Sequence, residues 1–444
     1  MRSPGITLSC QRAEGDGRST GSDVSITGRL LGKPAERTPL ARTLVRAGTR
    51  VGVTPYNWRL LKSTRHPQLH LQPRSAVAQP PREARAPHPV SDADIALCER
   101  LIAAYDAALG GRTGGEQADG MWSWIYETRQ RPLAQILDAR DARALALALA
   151  SMFRSKFVLG MAPGALIDHS QSWLGALIWR ATAVDGLVSL AEALGIVAVQ
   201  DAAQGRGMSA LDDEGRPGLV ERVETSLGYS IGFPDVGAPY GVSVHGRLLT
   251  IDSAEQIYSA VRVEQALRLH LSAQAARAPR LVEIGGGYGL MAYWFLRGAM
   301  APLRYTIVDL PIVSVLQGYF LSKTLGESEV SLFGEDPAHV VLLPNTALGD
   351  VQTPYDALVN KDSMPEMPAD AVLEYLAWAR GNCEGIFFSC NQESTREVLG
   401  AEQGMVPRLI EQTGGFARLR RDQSWVRAGY VEEIYALTDA GRAD

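Results

Sequence analysis

Cysteine is scarce in this chain: four in 444 residues (Cys10, Cys98, Cys383, Cys390), none at C-x-x-C spacing. That excludes a zinc knuckle and a disulfide framework and fits a reducing compartment. Histidine is sparse too, at seven, and beyond residue 90 no two fall at metal-ligand spacing. Long apolar runs are missing. The nearest, Leu145–Phe153, falls far short of the roughly 20 residues a membrane span needs. The N-terminus also lacks the charged-then-apolar order of a secretory signal. The expectation is a cytoplasmic protein without a membrane span. Excess positive charge is absent as well, since 44 Lys+Arg face 49 Asp+Glu for a net charge of -5. That total averages two unlike parts: residues 1–90 hold 15 basic and 5 acidic side chains, the remaining 354 hold 29 and 44. An acidic body does not attract a phosphate backbone, so nucleic acid is excluded as its partner.

What is present is a globular composition, 46% hydrophobic and 21% charged, long enough for two domains. Residues 1–90 read as a disordered basic leader, because Gly, Ser, Arg, Pro and Thr bury too little apolar surface to offset the entropy of ordering. Within it Leu40–Leu61 interleaves Leu, Val and Trp58 with arginines, the pattern of a basic amphipathic helix. A capping signal at Ser91–Asp94 opens a helical stretch, with further helices expected over Pro132–Phe157 and Trp173–Val199. Residues 91–205 therefore read as a helical cap domain. Residues 206–275 read as a lid or linker, with loops, a hairpin near Val242–His245 and a helix over Ser253–Ala273. From 276 to 440 strands alternate with helices, at 281–284, 305–308, 339–343, 355–360, 385–390 and 432–437. That rhythm implies a mostly parallel α/β sheet, here the catalytic domain.

The most informative residues are Val282-Glu283-Ile284-Gly285-Gly286-Gly287-Tyr288-Gly289, where a strand ends and a helix begins. Glycines at 285, 287 and 289 allow a close approach that side chains would block. A dinucleotide turn wants G-x-G-x-x-G, but its sixth position here is Leu290. An acidic residue before the turn repels a pyrophosphate and suits the cationic methionine end of S-adenosylmethionine. Asp309 follows Gly289 by 20 residues and ends the next strand, the place of a ribose-binding carboxylate. A Gly-rich turn with a strand-end Asp capping the next helix is the plain structural alternative.

Glu283–Gly289 together with Val308-Asp309-Leu310-Pro311 resembles the class I S-adenosylmethionine-dependent methyltransferases. Ser363-Met364-Pro365-Glu366-Met367 and Asn391-Gln392-Glu393 extend the resemblance to the bacterial sugar O-methyltransferase family. It covers most of 140–440. The resemblance implies a Rossmann-like sheet of seven strands, the last antiparallel and formed by Glu432–Leu437. It also implies cofactor contacts from Glu283, Gly285, Gly287, Gly289 and Asp309, with Leu348-Gly349-Asp350 near the adenine edge. The implied activity is methylation of a hydroxyl on a sugar or sugar-like small molecule. A phenolic or polyketide-type secondary metabolite, or an amine, is the alternative acceptor, and a non-catalytic cofactor-binding scaffold a further one.

A hydroxyl acceptor needs a positioned base. Asp362 and Glu366, after the fourth strand, are the first candidates for base or metal ligand, although Glu366 could equally cap the helix that follows. His245, in the lid, is a further candidate base. Asn391 and Gln392, after the fifth strand, could hydrogen-bond a polyhydroxylated acceptor or simply form a turn. A divalent metal held by Asp362 and Glu366 is compatible with the chemistry of magnesium, but no spacing establishes one. His66, His70 and His88 fall in the leader and are set aside. Oligomeric state is not legible.

Overall fold

The computed structural model describes residues 54–66, 82–110, 121–199, 218–271, 278–298, 304–350, 354–395, 397–398 and 401–438. In chain order the strands are β1 (Arg82–Ala84), β2 (Tyr240–Val244), β3 (Arg247–Leu249), β4 (Arg280–Ile284), β5 (Arg304–Asp309), β6 (Val330–Ser331), β7 (Val340–Pro344), β8 (Tyr355–Lys361), β9 (Cys383–Gln392), β10 (Glu397–Val398), β11 (Ala401–Glu402), β12 (Phe416–Gln423) and β13 (Tyr430–Leu437). Eight of them form one sheet in the order β12-β13-β9-β8-β4-β5-β7-β6. Neighbours run parallel except β13, which is antiparallel to both β9 and β12. This is the expected Rossmann-like α/β class, with the antiparallel strand where Glu432–Leu437 was expected and a two-residue eighth strand at one edge.

Central strands alternate their side chains between two cores, as a sheet buried on both faces requires. Ala357 and Val359 of β8 face one core and Leu358 the other; Phe388 and Phe387 of β9 divide likewise. The chain leaves β4 for β5 on one side and reaches β8 on the other, so the crevice at the carboxyl ends of β4 and β8 is the topological switch point. Register fixes what meets there: Ile284 lies beside Val308 and Asn360, and Lys361 beside Cys390.

β12 was not expected as a strand. Its sequence, Phe416-Ala-Arg-Leu-Arg-Arg-Asp-Gln, is largely exposed at the sheet edge, where charge blocks further pairing and hides the strand pattern. Arg418 and Arg421 hold it to Glu433 of β13. The single helix expected over Pro132–Phe157 is two, Arg131–Asp138 and Ala142–Leu149. Arg140 takes φ +51 and Asp141 caps the second helix through the backbone N–H of Ala144, so local capping overrides the continuous apolar pattern.

Two expectations about the first half are corrected. Residues 54–66 and 82–90 do not belong to a disordered leader. Thr54 caps a helix, Pro55–Ser63, by accepting from the N–H of Asn57, and Pro55 opens it. Asn57 is then buried against the helix Trp173–Ala193, accepting from the Trp179 indole and donating to the carbonyl of His169. β1 pairs with β2. Residues 1–53, with most of the expected Leu40–Leu61 helix, lie outside the described residues, as does His70. Second, an apolar segment of membrane-spanning length does exist. Trp173–Ala193 has 21 residues and qualifies by length and composition, but 72% of its most apolar window is buried within the fold. Its apolarity is accounted for by packing, and it carries Arg180, Asp185 and Glu192.

The helical region and the sheet share one core rather than meeting at a seam. Phe320, fully buried on the helix Pro311–Leu325, meets Phe153 and Phe233 from the helical side and Tyr288 and Tyr293 from the sheet side, at ring-centroid distances of 5.2–6.1 Å. Asp94, in a capping box with Ser91, accepts from Lys323 of the same helix at 2.7 Å. Phe320→Ala should cost about 3–5 kcal/mol while unfolding in urea stays a single transition by circular dichroism and tryptophan fluorescence. Two separated transitions would show that the cap is an independent unit.

Candidate active site at the carboxyl edge of the sheet

A cavity of about 850 Å³ opens over the switch point. Glu283, Gly285, Gly287, Asp309, Asp362, Glu366 and Gln392 all line it, so seven sequence candidates converge on one place. Three do not reach it. Gly289 sits behind the turn, before the helix Leu290–Arg297. Asn391 is buried and donates to Asn360 and Ser389. Its role is to brace Asn360, which with Ser363 holds the carbonyl of Ile284 and so fixes the end of β4. His245 is exposed at the tip of the β2–β3 hairpin with φ +47, so its candidacy as a base is withdrawn. The hairpin expectation was sound; its tip simply points away from the cavity.

The turn after β4 uses its glycines for two different reasons. A Cβ on Gly285, at φ +73, would stand 2.2 Å from Ser363 Oγ, so that position is closed by packing. A Cβ on Gly287, at φ +59, would meet nothing nearer than Met161 at 3.8 Å. Gly287 therefore presents bare backbone to the cavity, the arrangement that lets a ligand approach closely.

Two carboxylates beside this turn lack a cation. Glu283 is buried and accepts from the Tyr305 hydroxyl at 2.8 Å; burial pushes its carboxyl up to about 7. Asp309 accepts from the backbone N–H of Leu310 (2.9 Å) and Gly287 (3.2 Å) and from Gln317 Nε2 (2.8 Å), yet burial still raises it to about 7. Among the described residues neither is ion-paired. Two unneutralised carboxylates in a cavity cost stability unless a ligand supplies positive charge or donors.

Another part of the cavity wall has its charges paired. Glu255 accepts from Lys361 at 2.6 Å and Arg427 at 2.8 Å, and Arg427 also donates to Asp362 at 2.7 Å. Burial would raise Glu255, but Arg427 and Lys361 more than offset it and hold the carboxyl at about 2. Asp362 has φ +64, and its carboxylate also accepts from the Tyr430 hydroxyl. Both carboxylate oxygens of Asp362 are thus engaged, Oδ2 by Arg427 and Oδ1 by Tyr430. Glu366 differs. Burial, then repulsion from Asp362, pushes it up to about 8, and its polar partner there is Trp122.

Sequence reading missed Asp252, Glu255, Lys361, Arg427 and Tyr430. Lys361 stood next to Asp362 in a segment already singled out. Asp252 looked only like the start of the helix Ser253–His270, yet it lines the cavity, accepts from the Thr250 hydroxyl and is pushed by burial up to about 6. Nothing local marks Arg427. No group of three or more His, Cys, Asp and Glu is placed to hold a metal ion among the described residues.

No family model matches the chain, and no curated protein does. Solved structures do. Mitomycin 7-O-methyltransferase MmcR is 14% identical over 77% of this chain and 95% of its own, with a TM-score of 0.34. The pyocyanin biosynthetic protein PhzM is 15% identical over 69% and 98%, TM-score 0.32. The Burkholderia thailandensis 1,6-didemethyltoxoflavin-N1-methyltransferase, with S-adenosylhomocysteine bound, is 16% identical over 41% and 79%, TM-score 0.29. Likeness this loose assigns no role to any residue here, and the fold class rests on the strand order itself.

The unpaired carboxylates give a signed prediction. Between the ordinary carboxylate range and about pH 7 the folded protein binds more protons than the unfolded chain, so these groups subtract stability as pH rises through that window. Glu283→Gln should therefore stabilise the ligand-free protein at pH 8, by about 1–3 kcal/mol. The gain should fade towards pH 4. A destabilised variant at pH 8 in thermal unfolding would mean that Glu283 already has a protein counter-charge.

Proposed function

We propose that the chain is an S-adenosylmethionine-dependent O-methyltransferase acting on a hydroxyl of a sugar or sugar-like small molecule. The observation that carries the reading is the pair of buried Glu283 and half-buried Asp309: two carboxylates without an ion-pair partner among the described residues, flanking a turn with bare backbone at Gly287. That donor set fits the cofactor. Glu283 suits its ammonium group, Asp309 its ribose hydroxyls and Gly287 a close backbone approach, and the acidic surroundings suit its sulfonium. A pyrophosphate at this turn would meet two carboxylates that have no ion-pair partner among the described residues, which disfavours a nicotinamide dinucleotide. When bound, S-adenosylmethionine supplies an electrophilic methyl group.

The chain's own residues would do the rest. Glu366, lifted to about 8 by burial and Asp362, is a base matched to neutral or mildly alkaline conditions and takes the acceptor proton. Trp122 fixes its carboxylate. Arg427 and Tyr430 hold Asp362 beside it, so Glu366 keeps the proton affinity that a second carboxylate confers. The surrounding walls limit the water that could compete with the acceptor. Gln392, Ser394, Gln403 and Asn345 line the same cavity and suit a polyhydroxylated acceptor. A phenolic acceptor is the second reading, favoured by the apolar wall of Trp122, Met161, Leu60 and Leu166.

Transfer of labelled methyl from S-adenosylmethionine to methyl glucoside or catechol separates the two acceptor classes. Asp309→Ala should weaken S-adenosylmethionine binding by about 100-fold, the loss of two hydrogen bonds to a charged group, with the fold intact. Turnover should rise with pH and level off above about 8. Glu366→Gln should lower it by roughly 10²–10⁴-fold and abolish that rise. Tight binding of NAD in place of S-adenosylmethionine would overturn the assignment.

A further inference from the structure

The segment Thr54–His66 lies upstream of every motif above, yet it forms part of the cavity wall. Tyr56, Arg59, Leu60, Ser63 and Thr64 all line it. The Tyr56 ring packs against His169 and Trp179, with centroids 5.4 and 6.1 Å away. Its hydroxyl has no hydrogen-bond partner among the described residues, and it lies within electrostatic reach of Asp252, Arg427 and Glu255. A phenol facing the charged wall of a cavity, with no hydrogen-bond partner among the described residues, is placed to meet a ligand.

The segment is fastened at its far end. His66 bridges two carboxylates of the helix Trp173–Ala193, Nδ1 to Asp185 at 2.9 Å and Nε2 to Glu192 at 3.0 Å. The backbone N–H groups of Arg65 and His66 also donate to Asp185. The Arg65 guanidinium lies 3.9 Å over the Trp425 ring and donates to the Trp425 carbonyl, while the Trp425 indole donates to Glu192. Asp185 and Glu192 sit nearly buried in an otherwise apolar helix, where unpaired carboxylates would cost several kcal/mol. Their presence there makes sense only with a cation from outside the helix, and His66 is the group that faces both.

We propose that Thr54–His66 is the acceptor-side wall of this site, with Tyr56 contacting the acceptor and His66 positioning the segment. The Tyr56 role rests on the transferase reading; the anchoring does not. In the full chain, His66→Ala should expose the bonds after Arg59, Lys62 and Arg65 to trypsin at least tenfold faster, read by mass spectrometry. His66→Lys, which returns a cation between Asp185 and Glu192, should restore protection. Tyr56→Phe should leave protection and S-adenosylmethionine affinity unchanged. It should raise KM at least tenfold, with kcat changed less, for whichever of methyl glucoside and catechol is methylated. Unaltered cleavage in His66→Ala would overturn the anchoring, and an unaltered KM in Tyr56→Phe would overturn the acceptor contact. Absence of methylation of both probes with S-adenosylmethionine still bound would reject Tyr56 as a contact for these acceptors. Failure to bind S-adenosylmethionine would reject the transferase reading, and the protease result would stand.

Discussion

A carboxylate buried at the end of the central strand with no cation beside it is the constraint around which the site is arranged. Glu283 is 2% exposed and has a tyrosine hydroxyl for company. Asp309, one strand over, repeats the condition with three N–H donors and no counter-charge. Such groups cost stability unless something compensates for them, and among the described residues neither has an ion-pair partner. A ligand bringing positive charge and hydroxyl donors would supply that compensation. Stability is lower there so that binding can be tighter, a usual trade at functional sites.

The contrast with the charge-paired part of the wall sharpens this reading. Glu255, Lys361, Arg427, Asp362 and Tyr430 form a closed set of pairs, each charge answered within the fold. That wall is therefore already organised before anything binds. Glu366 stands between the two regimes: close enough to Asp362 to be held up in proton affinity, and not itself clamped by Arg427. A single cavity thus holds carboxylates without an ion pair, carboxylates locked by cations and one raised by burial and a neighbouring carboxylate. Their surroundings differ, not their side chains.

The turn side of the cavity was legible in the sequence because its signals are local. A strand, a Gly-rich turn and a helix are contiguous, and Asp309 lies a fixed distance further on, so Glu283, Gly285, Gly287 and Asp309 could be read without coordinates. The register of β4, β5 and β8 then brings them together as the pattern implies. The rest of the cavity wall was not legible, because its residues come from distant stretches: Tyr56, Trp122, Asp252 and Arg427 share no spacing that a sequence displays. His245 was misplaced for the converse reason, since a histidine in a loop carries no sign of which way the loop points. The charged strand Phe416–Gln423 and the helix Pro55–Ser63 were obscured by composition, the first by its edge arginines and the second by its basic, proline-flanked surroundings. In both, partners remote in sequence decide the structure.

Glu283 and Asp309, both raised to about 7, are expected to stay partly protonated until a cationic, hydroxyl-bearing ligand arrives. Calorimetric titration of S-adenosylmethionine at pH 7, repeated in buffers of different ionisation enthalpy, reads the protons exchanged on binding. Net proton release is expected, diminished in Glu283→Gln. Binding with no proton release, or with uptake, would contradict it.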